Sequence, residues 1–307
     1  MYSNNKILDK FEGSYLLENA VDNHIHCCPH INKRSTNIFD VVKRAENSGM
    51  HAIGLMDNFC NTSGYASLIK KYKPNLKLKV FGGLIMEPPA GGINFTNAKV
   101  AVNYGYEDTD GAKFISFPTH HTRFVALQEN RSKSYVDSCF YVHKNKIPDD
   151  ETLKILDLIA EKNIVLNTGH ISGIENFNLV IHAKKAGVKK ILIPANNLKY
   201  DEINHLKDLG THFEFSYFFI SKATEIPLTH IDTEKHTINK LEVDSMKKFI
   251  KAIGTKQVIL SSDCGVSVLP KPHQGFLNFI SIIKDLGFSS IDIKKMTSSN
   301  TKKLFNV

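Results

Sequence analysis

Apolar and polar positions along the chain follow two alternating periods. Short runs rich in Val, Ile, Leu and Phe are each followed by a longer segment whose apolar residues recur three and four positions apart. The runs read as strands and the segments as amphipathic helices. The first run covers 20–26, and the helix after it, 38–48, begins at a capping Asn37 and stops at Gly49. The second run, 52–56, precedes a helix at about 63–72, and the third, 78–86, precedes one at 95–104 closed by Gly105. The fourth, 114–117, is followed by a long helix near 150–162, capped by Asp149 or Asp150. The fifth, 164–167, leads to 174–186, and the sixth, 190–193, to 200–209. The seventh, 212–219, is separated by a polar insertion at about 221–241 from the helix 243–253. The eighth, 257–261, precedes a helix around 274–286, and the tail 290–305 reads as two short helices.

Eight strand–helix units in succession imply parallel strands joined by right-handed crossovers. The expectation is an α/β fold, a closed (β/α)8 TIM barrel, forming a single domain over 1–307 with the 221–241 loop as an insertion. An open doubly wound sheet is the runner-up. No Gly-x-Gly-x-x-Gly follows the first run to support a dinucleotide-binding version of it.

A barrel places its chemistry just after each strand. Asp22, His24 and His26 fall at that position in the first unit, two apart, so regular alternation would aim all three one way. Asp57, Asn58 and Cys60 follow the second run, Glu87 the third, and Thr119, His120, His121 and Arg123 the fourth. His170 follows the fifth, Asn196 and Asn197 the sixth, and Ser262, Asp263 and Cys264 the eighth, while Glu214 and Ser216 share a face within the seventh. The opposite strand ends carry Lys79, Lys113, Lys189 and Lys190. Any one of these polar residues can be a hydrogen-bonded core residue or a helix cap. Several ionisable groups at one rim are costly to bury unless they pair or bind a cation.

Composition narrows the classes. With 42% hydrophobic residues the chain can bury a large core. No run approaches the ~20 apolar residues of a membrane span, and the first ten residues have no apolar targeting region. Five cysteines are an odd count without a dense framework, so reduced thiols and a cytoplasmic location are expected. The net charge of +8 comes from scattered Lys and lacks the clustered Arg and aromatic interleaving of a nucleic-acid groove. It is compatible with an anionic small-molecule substrate. A homo-oligomer is compatible with the chain as well.

Asp22-x-His24-x-His26, His170 and Asp263 together resemble the metal-dependent amidohydrolase superfamily. The likeness is closest to an uncharacterised amidohydrolase-like branch, through Val80-Phe-Gly-Gly83, the stretch Gly111–Thr119, Thr168-Gly-His-Ile-Ser172, Leu260-Ser-Ser-Asp263 and Asn300-Thr-Lys-Lys-Leu304. It runs from about residue 18 to the end. The resemblance implies that His24, His26, His170 and Asp263 bind a divalent metal, most often Zn. It implies that water activated on the ion attacks an amide, ester, lactone or related bond, with Asp263 as the general base. Two departures stand out: Ala195 lies where the superfamily has a sixth-strand histidine, and Asn58 where the branch has another. Lys113 lies at the wrong strand end to become a bridging carbamate. One ion is therefore favoured over two, with Glu87 and His120 as substitute ligands for a second. The departures also support an alternative, a catalytically degenerate barrel that binds a small molecule or metal without turnover. Arg123 is the candidate clamp for a substrate carboxylate or phosphate, with His121, Asn58, Asn196 and Asn197 as further contacts. Cys27, Cys28, Cys60 and Cys264 read as small, inert thiols near the mouth. The insertion, with His230 and His236, reads as a lid or as a solvated loop.

Overall fold

In the computed structural model, every expected run contains a strand. Residues 13–107, 110–143, 147–226, 228–229, 235–236 and 239–307 are described. The strands are β1 (Val21–Ile25), β2 (Ala52–Leu55), β3 (Lys79–Gly82, continued past Gly83 by Leu84–Ile85), β4 (Phe114–Ser116), β5 (Val165–Asn167), β6 (Ile191–Pro194), β7 (His212–Ser216) and β8 (Val258–Ser261). Each pairs in parallel with the next in chain order, as a β1–β2–β3 sheet and a second sheet running from Leu84–Ile85 through β8. The sheets meet at both edges. One seam is the break in β3 at Gly83, where a Cβ would collide with the Phe114 carbonyl of β4. At the other, Ile25 bridges Cys264, and the Asp263 amide donates to the His24 carbonyl over 2.9 Å. Neither seam is a continuous ladder, but the ring of eight parallel strands is that of a (β/α)8 barrel.

The helices are α1 (Ile38–Asn47), α2 (Ser63–Tyr72), α3 (Phe95–Asn103), α4 (Arg123–Gln128), α5 (Lys133–Ser138), α6 (Asp150–Lys162), α7 (Gly173–Lys185), α8 (Tyr200–Lys207), α9 (Tyr217–Ile220), α10 (Val243–Ile253), α11 (Pro272–Asp285), α12 (Ser290–Lys294) and α13 (Asn300–Phe305). Asn37 caps α1 by accepting from the Asp40 amide, and Asp149 caps α6 by accepting from Thr152. Two short helices, α4 and α5, occupy the stretch after β4 where no helix is expected. The tail is more continuous than its sequence suggests, because a π-helical turn at Lys295–Ser299 joins α12 to α13. In the insertion, Leu228–Thr229 pairs antiparallel with Lys235–His236. His230 lies outside the described residues, as do 227, 231–234 and 237–238 of the insertion.

The core has two layers. Val21, Ala52, Phe81, Phe114, Val165, Leu192 and Ile259, one from every strand except β7, pack with Leu304 and Phe305 of α13 inside the barrel. A second, larger cluster lies between strands and helices. Strand β7 departs from the inner layer because its alternation is reversed: Phe213 and Phe215 join the outer cluster, which leaves His212, Glu214 and Ser216 on the other face.

β1 corrects the simple alternation argument. Asp22 is opposite Ile53 and Ile25 is opposite Leu55, so β1 carries one residue more than β2 between these pairs, a β-bulge. Val21 belongs to the inner cluster and Ile25 to the outer one, although they are four apart. Asp22, His24 and His26 therefore do not simply share one face. Gly54 makes room for the bulge, since a Cβ there would collide with the Asn23 carbonyl.

Candidate metal centre

The bulge turns His24 and His26 toward a cavity at the C-terminal ends of the strands, and β8 brings Asp263 to meet them. Asp263 Oδ1 lies 3.4 Å from His24 Nε2 and 3.3 Å from His26 Nε2. The three residues offer ligand atoms that all lie within 4.8 Å of one another. Asp263 reaches this place from a left-handed backbone conformation, φ 49°, which is uncommon for a residue with a side chain and is concentrated at functional sites.

The surrounding groups fix the ligands' orientation. Glu214 Oε1, on β7, lies 3.4 Å from His24 Nδ1 and accepts from Asn23 Nδ2 over 2.7 Å. A carboxylate on the far nitrogen of a ligating imidazole sets its tautomer and ring orientation. Asp22 is not part of the converging group. Its Oδ1 accepts from the Ser262 amide over 2.9 Å, tying β1 to β8. Burial pushes its carboxyl up to about 7, against the hydrogen bonds from Ser262.

Burial and neighbouring charge shift the proton affinities of the cluster. Burial opposes a proton on His24, but the charges of Asp263 and Glu214 outweigh it and lift the imidazole to about 9. Burial lowers His26 to about 4, against its hydrogen bond to Asp263. Burial likewise lowers His170 to about 4. Asp263 is held below the usual carboxylate range despite burial, by His24 first and then by His26 and His170. A buried cluster that retains a positive charge between two carboxylates is one a cation fits. Two imidazole nitrogens with a carboxylate oxygen suit zinc and other first-row divalent ions.

The cavity, of about 50 Å³, is lined by His24, His26, Arg34, Asn58, Ile85, Thr119, His120, His170, Phe218, Phe219, Asp263 and Val266. His170 thus faces the same space but stands outside the tight three-residue group. Its ring is edge-on to Phe219 and to His120, with centroids 5.7 and 6.3 Å away. Asn58 and His120 also line the cavity.

Other expected site residues lie elsewhere, for physical reasons. Glu87 is fully buried but its carboxylate is committed: Oε1 accepts from the amides of Thr119 and His120, both at 2.6 Å, and Oε2 from His121. It shapes the loop after β4 and is not in the converging group. Arg123 begins α4, and its guanidinium stacks over the Tyr141 ring, 4.9 Å from the centroid, rather than lining the cavity. His121 turns to α5, with Nε2 3.4 Å from Ser138 Oγ and its ring against Tyr135. Asn196 and Asn197 follow β6 half-buried and away from the lining, and Ala195 brings no donor. Cys27 and Cys60 are pushed up by burial to about 12 and about 11, so they are thiols.

Sequence reasoning missed Arg34. It lies in a polar loop between β1 and α1, and only the pairing of that loop with the one after β8 brings it to the cavity. Glu214 was visible as an inward polar residue of the seventh strand, but its position beside His24 follows from strand order in the closed ring.

Comparison with known proteins adds the following. A family model described as a family of unknown function, DUF6282, matches residues 19–214. No curated protein sequence matches the chain. Among solved structures, an amidohydrolase from Pseudomonas aeruginosa is similar with a TM-score of 0.58 and 10% identity, covering 95% of this chain and 97% of that one. The probable dipeptidase PvdM from the same organism gives 0.61 and 11%, over 95% and 96% of the two chains. The phosphotriesterase homology protein from Escherichia coli, complexed with phosphate in its active site, gives 0.56 and 14%, over 94% and 99%. At these identities the likeness establishes the fold alone, a TIM barrel.

Proposed function

The chain belongs to DUF6282, a family of unknown function, and from that premise we propose that it is a metal-dependent hydrolase of the amidohydrolase type. Its substrate is a small molecule with an amide, ester, lactone or related bond. The observation that supports this reading is the convergence of His24, His26 and Asp263 at the strand ends of a barrel shared with amidohydrolases.

His24 Nε2, His26 Nε2 and Asp263 Oδ1 would hold the ion, with zinc the first candidate. When bound, a divalent ion polarises an oxygen and lowers the pKa of water toward neutrality. Asp263 accepts the proton of the attacking water, a role its place at the cavity supports. Glu214 keeps His24 oriented through Nδ1. His120 and His170 line the same cavity. Phe218 and Phe219 form an apolar wall that limits water. A single ion is favoured, because Ala195 offers no ligand and Glu87 is occupied by the loop after β4. All five cysteines are unpaired, which suits a reducing cytoplasm. Among the described residues, no helix is long and apolar enough to cross a membrane.

The test is elemental analysis of the purified protein together with a screen of esters, lactones and amides. We expect one divalent ion per chain, lost in His24→Ala, and metal-dependent turnover of at least one substrate class. Protein without any divalent ion, unchanged by His24→Ala, sinks the proposal. Bound ion without turnover across the screen supports the degenerate, binding-only barrel.

A further inference from the structure

The cavity holds a cation of the protein's own. Arg34 is the single Lys or Arg side chain in its lining, and Asp263 is the single carboxylate. We propose that Arg34 recognises an oxyanion on the substrate, a carboxylate or a phosphate carried beside the reacting bond. The proposal rests on the hydrolase reading and adds the substrate's chemical class.

The backbone that carries Arg34 is tied to the loop bearing Asp263. Arg34 bridges Val266, and the Ser35 amide donates to the Gly265 carbonyl over 2.7 Å. From the other side, the Cys28 amide donates to the Thr36 carbonyl over 2.9 Å. Arg34 is therefore positioned by the same strand-end contacts that assemble the metal cluster.

Its donors are under-used. A guanidinium has five N–H groups in a rigid fork that matches the two oxygens of a carboxylate or phosphate. Here Nη2 contacts His30 Nε2, while Nε is buried without a hydrogen-bond partner. None of the ion pairs found among the described residues uses Arg34. The nearby carboxylate of Asp57 is directed elsewhere: it accepts from the Phe59 amide over 2.7 Å and lies 3.9 Å from His30 Nε2. An arginine kept for structure would be expected to saturate its fork on such a carboxylate, since buried donors without acceptors are costly.

Charge points the same way. The lining supplies one carboxylate against one guanidinium, and that carboxylate belongs to the proposed metal ligands. Adding a divalent ion leaves the space cationic. An anionic substrate group neutralises it, and a desolvated cavity makes that pairing strong. The volume of about 50 Å³, walled by Phe218, Phe219 and Val266, restricts the buried group to a compact one. Arg123, the arginine the sequence offers first, is excluded by its stacking on Tyr141.

The experiment is calorimetric titration of the purified protein with malonate, with inorganic phosphate and with the neutral isostere malonamide, repeated on Arg34→Gln and Arg34→Lys, with metal content measured on each sample. We expect malonate or phosphate to bind and malonamide to fail, and the preferred anion to identify the group. Arg34→Gln should weaken anion binding by roughly ten- to a hundredfold, the worth of charge-assisted hydrogen bonds. Arg34→Lys should recover part of it, because a point charge replaces the fork. Failure of both anions to bind, malonamide binding as well as the anions, or wild-type affinity in Arg34→Gln overturns the proposal. If Arg34→Gln does not fold, the charged-against-neutral comparison on the wild type still decides. Arg34-dependent binding in protein that holds no ion would refute the metal reading and leave this one standing. Bound ion with anion affinity indifferent to Arg34 would do the reverse.

Discussion

At the C-terminal ends of the strands, His24, His26, His170 and Asp263 are buried around a cavity of about 50 Å³. At the N-terminal ends, a wider cleft of about 380 Å³ is lined by Lys70, Lys73, Lys79 and Lys113 together with Asp110. The larger space is the poorer site. Lys70, Lys73 and Lys79 sit on long stems that keep their heads in water, whereas the rim groups are desolvated, shift one another's proton affinity and converge on a point. The base is closed by apolar packing: Phe305 of α13 meets Phe81 and Phe114, with ring centroids 4.9 and 6.4 Å away. One end of the barrel carries stability and the other carries strained, unevenly satisfied polar groups, so variants at the two ends should separate cleanly.

The largest effect belongs to the rim. Asp263→Asn should reduce turnover about ten-thousandfold, the upper range for a general base, and deplete bound metal. With both proteins stripped of metal, it should leave the melting temperature unreduced, because Asn tolerates the left-handed backbone at this position. Unfolding of this variant would show that Asp263 is a structural residue. The base should answer in the opposite sense. Phe305→Ala should cost about 3–5 kcal/mol in denaturant unfolding, as for other large-to-small core changes, with metal stoichiometry unchanged. Loss of metal in Phe305→Ala would mean that the two ends are coupled.

A smaller effect is carried by His212, at the start of β7. Burial, then Lys303 and Lys184, lowers it from 6.5 to about 4. Above the usual imidazole range both folded and unfolded chains hold it neutral, and it contributes nothing. Between 6.5 and about 4 the unfolded chain takes up a proton that the folded one refuses, so stability falls as pH falls. After discounting for partial exposure, the loss should reach about 1–2 kcal/mol. Urea unfolding at several pH values should show this slope flattened in His212→Gln. The smallest change is expected from Arg123→Ala. Losing the stack on Tyr141 should cost about 0.5–1 kcal/mol and leave turnover unaltered. A loss of activity there would return Arg123 to the site.

The strands were legible because they are nearly continuous apolar runs bounded by turns, and all eight were found within a residue or two, except that the third breaks at Gly83 and the seventh ends at Ser216. His24, His26 and Asp263 were legible through their spacing and their likeness to a known pattern. Three features were not. Helices α4 and α5 are six residues each, too short to show a period, and follow Thr122 and Ser132, whose side chains cap them. The role of Glu87 depends on three amides more than thirty positions later. Arg34 becomes a cavity residue only through a bridge to Val266. Each of these depends on contacts between distant segments, which periodicity and local propensity do not encode.

The contact between Asp22 and the Ser262 amide spans 240 positions, and the metal cluster closes across the same seam. The first strand of the ring waits for the last. A chain emerging from the ribosome exposes both histidines early yet cannot assemble the centre until residue 263 has followed. A nicked or truncated product lacking β8 keeps His24, His26 and His170 and has no site. Assembly of the cluster is thereby tied to the arrival of the last strand, and an ion seated between the two ends would act as a clasp, stabilising the closed ring in proportion to its own affinity.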